Sequence, residues 1–70
     1  MKIKVNGEET KIKIDGLKKP LLSKTLKLMG YKPNTIVVEL NNLIVNSKKW
    51  ESVILEEGDS LGIVSIVGGG

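Results

Sequence analysis

Residues 1–14, MKIKVNGEETKIKI, decide how this chain of 70 residues is read. Apolar and polar residues alternate through Lys2-Ile3-Lys4-Val5 and again through Lys11-Ile12-Lys13-Ile14. That is the period-two pattern of a strand with one buried face. Between the two runs lies Asn6-Gly7, a strong hairpin signal because a type I′ turn requires positive φ at both central positions. With Asn6-Gly7 as a two-residue loop, Val5 falls opposite Glu8, Ile3 opposite Thr10 and Met1 opposite Ile12. That register puts Ile3, Val5, Ile12 and Ile14 on one face and Lys2, Lys4, Lys11 and Lys13 on the other. Turn chemistry and hydrophobic pattern agree.

Beyond the hairpin, Asp15-Gly16 is a turn signal. Residues 20–29, PLLSKTLKLM, predict one short helix. Pro20 suits its first turn, where the missing N–H costs nothing. Leu22, Leu26 and Met29 recur at helical spacing as a buried stripe, with Leu21, Thr25 and Leu28 beside it. Gly30 can take the left-handed conformation that ends a helix, and Pro33 prevents its resumption. Residues 35–40, TIVVEL, are β-branched and predict a strand, with Ile36, Val38 and Leu40 on one side and Val37 and Glu39 on the other. Asn41-Asn42 turns the chain into a short returning strand, Leu43 to Val45. Ser47 to Trp50 reads as a helical turn, with Trp50 covering the edge of the core. Gly58-Asp59 then leads into a last strand, Ser60 to Val67.

One amphipathic helix over one face of a mixed sheet is a two-layer α+β domain. With a single helix and so short a chain, the expected architecture is a β-grasp, its last strand inserted centrally beside the first. The expected organisation is one domain over residues 1–67 and a flexible glycine tail over 68–70.

Composition narrows the function. The chain has no Cys and no His, so thiolate nucleophiles, imidazole acid–base catalysis and Cys/His metal sites are absent. All 11 basic side chains are lysine, against 8 carboxylates, for a net charge of +3. Lacking arginine, the chain has no bidentate reader of phosphates or bases. No aromatic stands among the hairpin lysines to stack a base. The lysines therefore read as a solvated sheet face that discourages edge-to-edge pairing, and no nucleic-acid partner is expected. No apolar run approaches the ~20 residues of a membrane span, and the amino terminus lacks a secretory signal, so a cytoplasmic protein without a membrane partner is expected.

The chain runs from the apolar IVSIV directly into Gly68, Gly69 and Gly70. Without Cβ atoms, such a segment is the thinnest peptide and can lie extended in a narrow channel. The reactive group it delivers is the Gly70 α-carboxylate, a poor acyl group until a partner enzyme joins it to AMP. Sulfur or nitrogen can then attack. The chemistry asks nothing catalytic of the carrier.

The MKIKVNGEE opening, the leucine helix ending at Gly30-Tyr31, IVVELNN followed by LIVN, Trp50, and EEGDSLGIVSIVGGG together resemble the ThiS-type sulfur carriers of thiamine biosynthesis. The resemblance covers nearly the whole chain and is most specific at Gly58-Asp59 and the terminal glycines. It implies a ubiquitin-like β-grasp and a non-enzymatic role as carrier. An E1-like, ThiF-like adenylyltransferase would use ATP and Mg²⁺ to adenylate Gly70, with no cofactor bound to the carrier itself. A sulfurtransferase or cysteine desulfurase would then supply sulfur for a thiocarboxylate. A ThiG-like thiazole synthase would consume it. Gly69 and Gly70 match the family's diglycine, and Gly68 lengthens the thin segment. Carried onto the β-grasp layout, Val37, Glu39, Gly62, Val64 and Ile66 show on the sheet face away from the helix, as the expected docking patch.

Related carriers of the MoaD type, serving molybdopterin synthesis, share fold and tail chemistry, but they often carry prolines before the diglycine where this chain has Ile66-Val67-Gly68. A non-catalytic β-grasp module that binds RNA or protein is the alternative from a different class.

Overall fold

The computed structural model describes residues 1–13 and 19–66. Five strands form one sheet: β1 (Lys2–Val5), β2 (Glu8–Lys11), β3 (Ile36–Leu40), β4 (Leu43–Val45) and β5 (Ser60–Ser65). Their order across the sheet is β2-β1-β5-β3-β4. β5 runs parallel to β1 and antiparallel to β3, so the last strand lies in the centre beside the first. One helix, α1 (Leu22–Leu28), covers one face, giving the expected β-grasp arrangement.

The hairpin takes the expected register. Val5 pairs with Glu8 and Ile3 with Thr10, and Met1 and Ile12 exchange hydrogen bonds of 2.7 and 3.1 Å. Asn6 and Gly7 both have positive φ, +51° and +85°, as a type I′ turn demands. Asn41 and Asn42, at +51° and +72°, build a second such turn between β3 and β4. Asn tolerates this conformation better than other side-chain-bearing residues. Ile14 and the Asp15-Gly16 turn lie outside the described residues.

The core contains Ile3, Ile12, Leu22, Leu26, Ile36, Val38, Leu55, Leu61 and Ile63, with Trp50 among them. Leu22 and Leu26 lie one helical turn apart and are buried, whereas Met29 is only partly so. Of the flanking residues, Thr25 is fully buried and Leu28 is exposed. The Thr25 hydroxyl can be buried because it donates to the Leu21 carbonyl at 2.9 Å. Gly30, at φ +88°, ends α1 in a Schellman motif. Its N–H donates to the Lys27 carbonyl and that of Tyr31 to the Leu26 carbonyl, both at 3.0 Å.

Two expectations are corrected. Pro20 does not enter the first helical turn. Leu21 is extended and bridges Ile54, while the Leu22 N–H donates to Val53 and the Leu55 N–H to Pro20, both at 2.8 Å. This strand-like exchange satisfies the start of α1 and holds Pro20 ahead of it. Trp50 does not merely cover the core's edge: it is buried within the core. A 3₁₀ turn, Ser47–Ser52, turns the ring inward, and its Nε1–H donates to the Val45 carbonyl at 2.9 Å. An indole whose one donor is satisfied can be buried without an orphaned polar atom. Leu55, unread in the sequence, belongs to the core through the same pairing with Pro20.

Candidate functional site: the open sheet face and the end of the last strand

The face that α1 leaves uncovered divides into two halves. Over β1 and β2 it shows Lys2, Lys4 and Lys11, all exposed, in a register that sets Lys2 against Lys11 and Lys4 against Glu9. Lys13, just beyond β2, is exposed as well. Over β3, β4 and β5 the face is mainly apolar. Val37 stands opposite Val64 and Glu39 opposite Gly62. Across the next pair, Glu39 also stands opposite Ile44. Val64 is 56% exposed, Ile66 52% and Ile44 72%, while Val37, Glu39 and Gly62 are half-buried. Together they form an exposed apolar patch on one face, a feature that single surface aliphatics do not make.

The structure thus brings Val37, Glu39, Gly62 and Val64 together as neighbours on two adjacent strands. Ile66 follows at the end of β5, where its N–H donates to the Thr35 carbonyl at 2.8 Å. There a groove of about 350 Å³ runs past Pro33, Val37, Ile44, Trp50 and Ile66. Val67 and the three glycines lie outside the described residues. Ile44 is the patch member that sequence reading missed. The signal was available, because a two-residue turn at Asn41-Asn42 places Ile44 opposite Glu39.

Gly62 has no reason in the fold to lack a side chain. Its φ is not positive, and an added Cβ would meet only the Glu39 Cβ at 3.7 Å, an ordinary contact. What glycine does there is leave a flat, bare stretch of backbone in the middle of the apolar half. Glycine inside a strand commonly marks a place where another chain approaches closely.

Both halves are tied to β5 by their turn asparagines. Asn6 Oδ1 accepts from the Ile63 N–H at 2.7 Å, and Asn41 Oδ1 accepts from the Ser60 N–H at 3.0 Å. Asn41 Nδ2 also donates to Asp59 Oδ1 at 3.0 Å, and Asp59 Oδ2 accepts from the Glu56 N–H at 2.7 Å. The acidic run Glu56–Asp59 therefore holds the entry to β5. Glu57 contributes by accepting from the Lys2 N–H at 2.9 Å. Among the described residues, no group of three or more His, Cys, Asp or Glu is placed to hold a metal ion, and no helix is long and apolar enough to cross a membrane.

The ThiS family model matches residues 3–70, nearly the entire chain and all three glycines. The chain belongs to the ThiS family. Its solved relatives show the same fold. A crystal structure of the thiamine biosynthesis protein ThiS from Geobacter metallireducens superposes with a TM-score of 0.79 at 24% identity, covering all of both chains. A solution structure of a thiamine biosynthesis protein from the same organism gives 0.78 at 21%, covering all of this chain and 88% of that one. These neighbours establish the ubiquitin-like β-grasp for this ThiS-family chain.

Two protein relatives are more similar in sequence. The uncharacterized protein ycf40 of Trieres chinensis is 40% identical over 45 residues, which are 64% of this chain and 62% of that protein. A thiazole synthase of Magnetococcus marinus is 32% identical over 74 aligned positions, covering all of this chain but 20% of the synthase. The chain thus spans about three fifths of the first relative and a fifth of the second.

Proposed function

We propose that this ThiS-family chain is a sulfur carrier whose working group is the α-carboxylate of Gly70. The observation that carries the reading is the family match itself, which runs through the glycines to residue 70. In the proposed cycle, an E1-like partner uses ATP and Mg²⁺ to join the carboxylate oxygen to AMP, releasing pyrophosphate. A persulfide on a sulfurtransferase or cysteine desulfurase then attacks the acyl carbon, and AMP leaves. Cleavage of the resulting S–S bond by a thiol, which forms a disulfide, frees the thiocarboxylate. The carrier supplies no cofactor and no catalytic side chain. Residues 68–70 serve as the slender tail that enters partner active sites, on a domain ending at residue 67.

Thiamine is the favoured destination of the sulfur. A stretch similar to this whole chain occurs in a protein named thiazole synthase, which supports a ThiG-like acceptor that builds the thiazole ring. Val64, Ile66 and Val37, with Glu39 and Gly62, form the docking patch in this reading. Val64 and Ile66 lie at the end of β5, within a few residues of the tail, and Val37 and Glu39 stand beside β5 on β3.

Intact mass tests the chemistry. Incubation with ATP, Mg²⁺, an E1-like partner and a sulfur source is expected to replace one oxygen by sulfur at Gly70. Deleting Gly70, or capping it as an amide, is expected to abolish the change while the domain stays folded. An unchanged mass under conditions where a known carrier reacts overturns the proposal.

A further inference from the structure

The end of β5 is paired on one side only. Its even-numbered residues face β3: the Ser60 carbonyl accepts from the Asn41 N–H and the Ile66 N–H donates to the Thr35 carbonyl, both at 2.8 Å. Its odd-numbered residues face β1. The Leu61 carbonyl accepts from the Asn6 N–H at 2.8 Å, and the Ile63 N–H donates to Asn6 Oδ1 at 2.7 Å. β1 stops at Val5, and the chain turns away through Asn6-Gly7. Past that turn, the Ile63 carbonyl and the N–H and carbonyl of Ser65 have no partner among the described residues. Ser65 itself is exposed.

On the carrier reading, which this inference rests on, the Gly70 carboxylate must reach the catalytic atoms of an adenylating partner. Only four residues, 67–70, separate it from Ile66. Fully extended, they reach about 14 Å. The wall of the partner's active site therefore stands against the end of β5 and takes water from it. Backbone groups that lose water must be given hydrogen-bond partners. Those at Ile63 and Ser65 run acceptor, donor, acceptor along one line, the pattern that an extended main chain complements.

We propose that the free edge of β5 from Ile63 to Ser65 receives an extended main-chain segment of the adenylating partner as an added strand, in line with β1. This sixth strand holds β5 straight as it leaves the domain and aims the glycines into the active site. The Val64 and Ile66 side chains lie beside it on the open face.

The strand's alternation provides the test. Ser65→Pro deletes the N–H that faces the free edge and none of the hydrogen bonds to β3, a position where a sheet accepts proline. Ser65→Ala keeps the backbone donor. Both are expected to fold. Ser65→Pro is expected to lose about tenfold or more in kcat/KM for adenylation, with Ser65→Ala within about twofold of the parent. Hydrogen exchange on the unmodified chain reads the same edge without a substitution. The Ser65 amide is expected to exchange freely alone and about tenfold or more slower when saturated with the E1-like protein that adenylates Gly70. Adenylation of Ser65→Pro at the parent rate, or an unprotected Ser65 amide in the complex, overturns the added strand and leaves the carrier reading standing. Failure of the unmodified chain to be adenylated removes both.

Discussion

The two hairpins are built alike and present opposite chemistry. Each closes an antiparallel pair through a two-residue turn with positive φ, and each turn reaches β5 through an asparagine side chain. Yet β1–β2 shows lysines on the open face where β3–β4 shows Val37 and Ile44. The backbone device specifies where the strands lie, and the outward positions specify what they meet. In a strand these two duties fall on alternate residues, so they vary separately.

Disrupting what the hairpins share has the largest expected effect. Leu61 is buried on the strand between them, and Leu61→Ala should cost about 2–5 kcal/mol of stability, read by denaturant unfolding. A loss below 1 kcal/mol would mean the two halves do not share one core. Removing one clasp costs less. Asn6→Ala loses both a residue suited to φ +51° and the acceptor for the Ile63 N–H, for an expected loss of about 1–2 kcal/mol. Asn6→Gly keeps the turn but not the acceptor and should fall between Asn6→Ala and the parent.

The contrast between the faces is tested by function at unchanged stability. On the proposed carrier role and docking patch, Val64→Lys should lower thiocarboxylation by about tenfold while the unfolding midpoint holds, because a charge would be forced into the apolar contact. An unchanged rate would remove Val64 from the docking patch. The smallest effect is expected on the other half. Lys2→Ala with Lys4→Ala should stay within about twofold of the parent, since exposed charges contribute little to affinity once salt screens them. A larger drop that disappears at high salt would make the lysine half part of the contact.

Much of the scaffold was legible in advance, for reasons that can be named. Asn6-Gly7 and the alternation beside it required only neighbouring residues, as did Gly30 after the Leu22/Leu26 stripe. The apolar half of the open face followed from Val37, Glu39 and Val64 once their strands were known. Pro20 and Trp50 were misplaced because their surroundings come from elsewhere in the chain. Pro20 is held out of the helix by pairing with Leu55, and Trp50 is drawn inward by an acceptor at Val45 and the apolar space below α1. Ile44 was missed although its register was countable. The free edge at Ser65 was not readable at all. It exists because β1 ends opposite Leu61, near the start of β5, a relation between residues far apart in the chain.

Seventy residues read in order thus specify the strand periods, the signs of φ at the turns and a thin glycine terminus, all of which depend on a residue and its close neighbours. Folding added the relations that distance along the chain conceals. Which strand stands in the centre, how far each neighbour extends beside it and which backbone groups remain open depend on the packing of remote segments around one small core. For this ThiS-family chain, those relations put β5 in the centre of the sheet and leave a short edge of it open at Ser65.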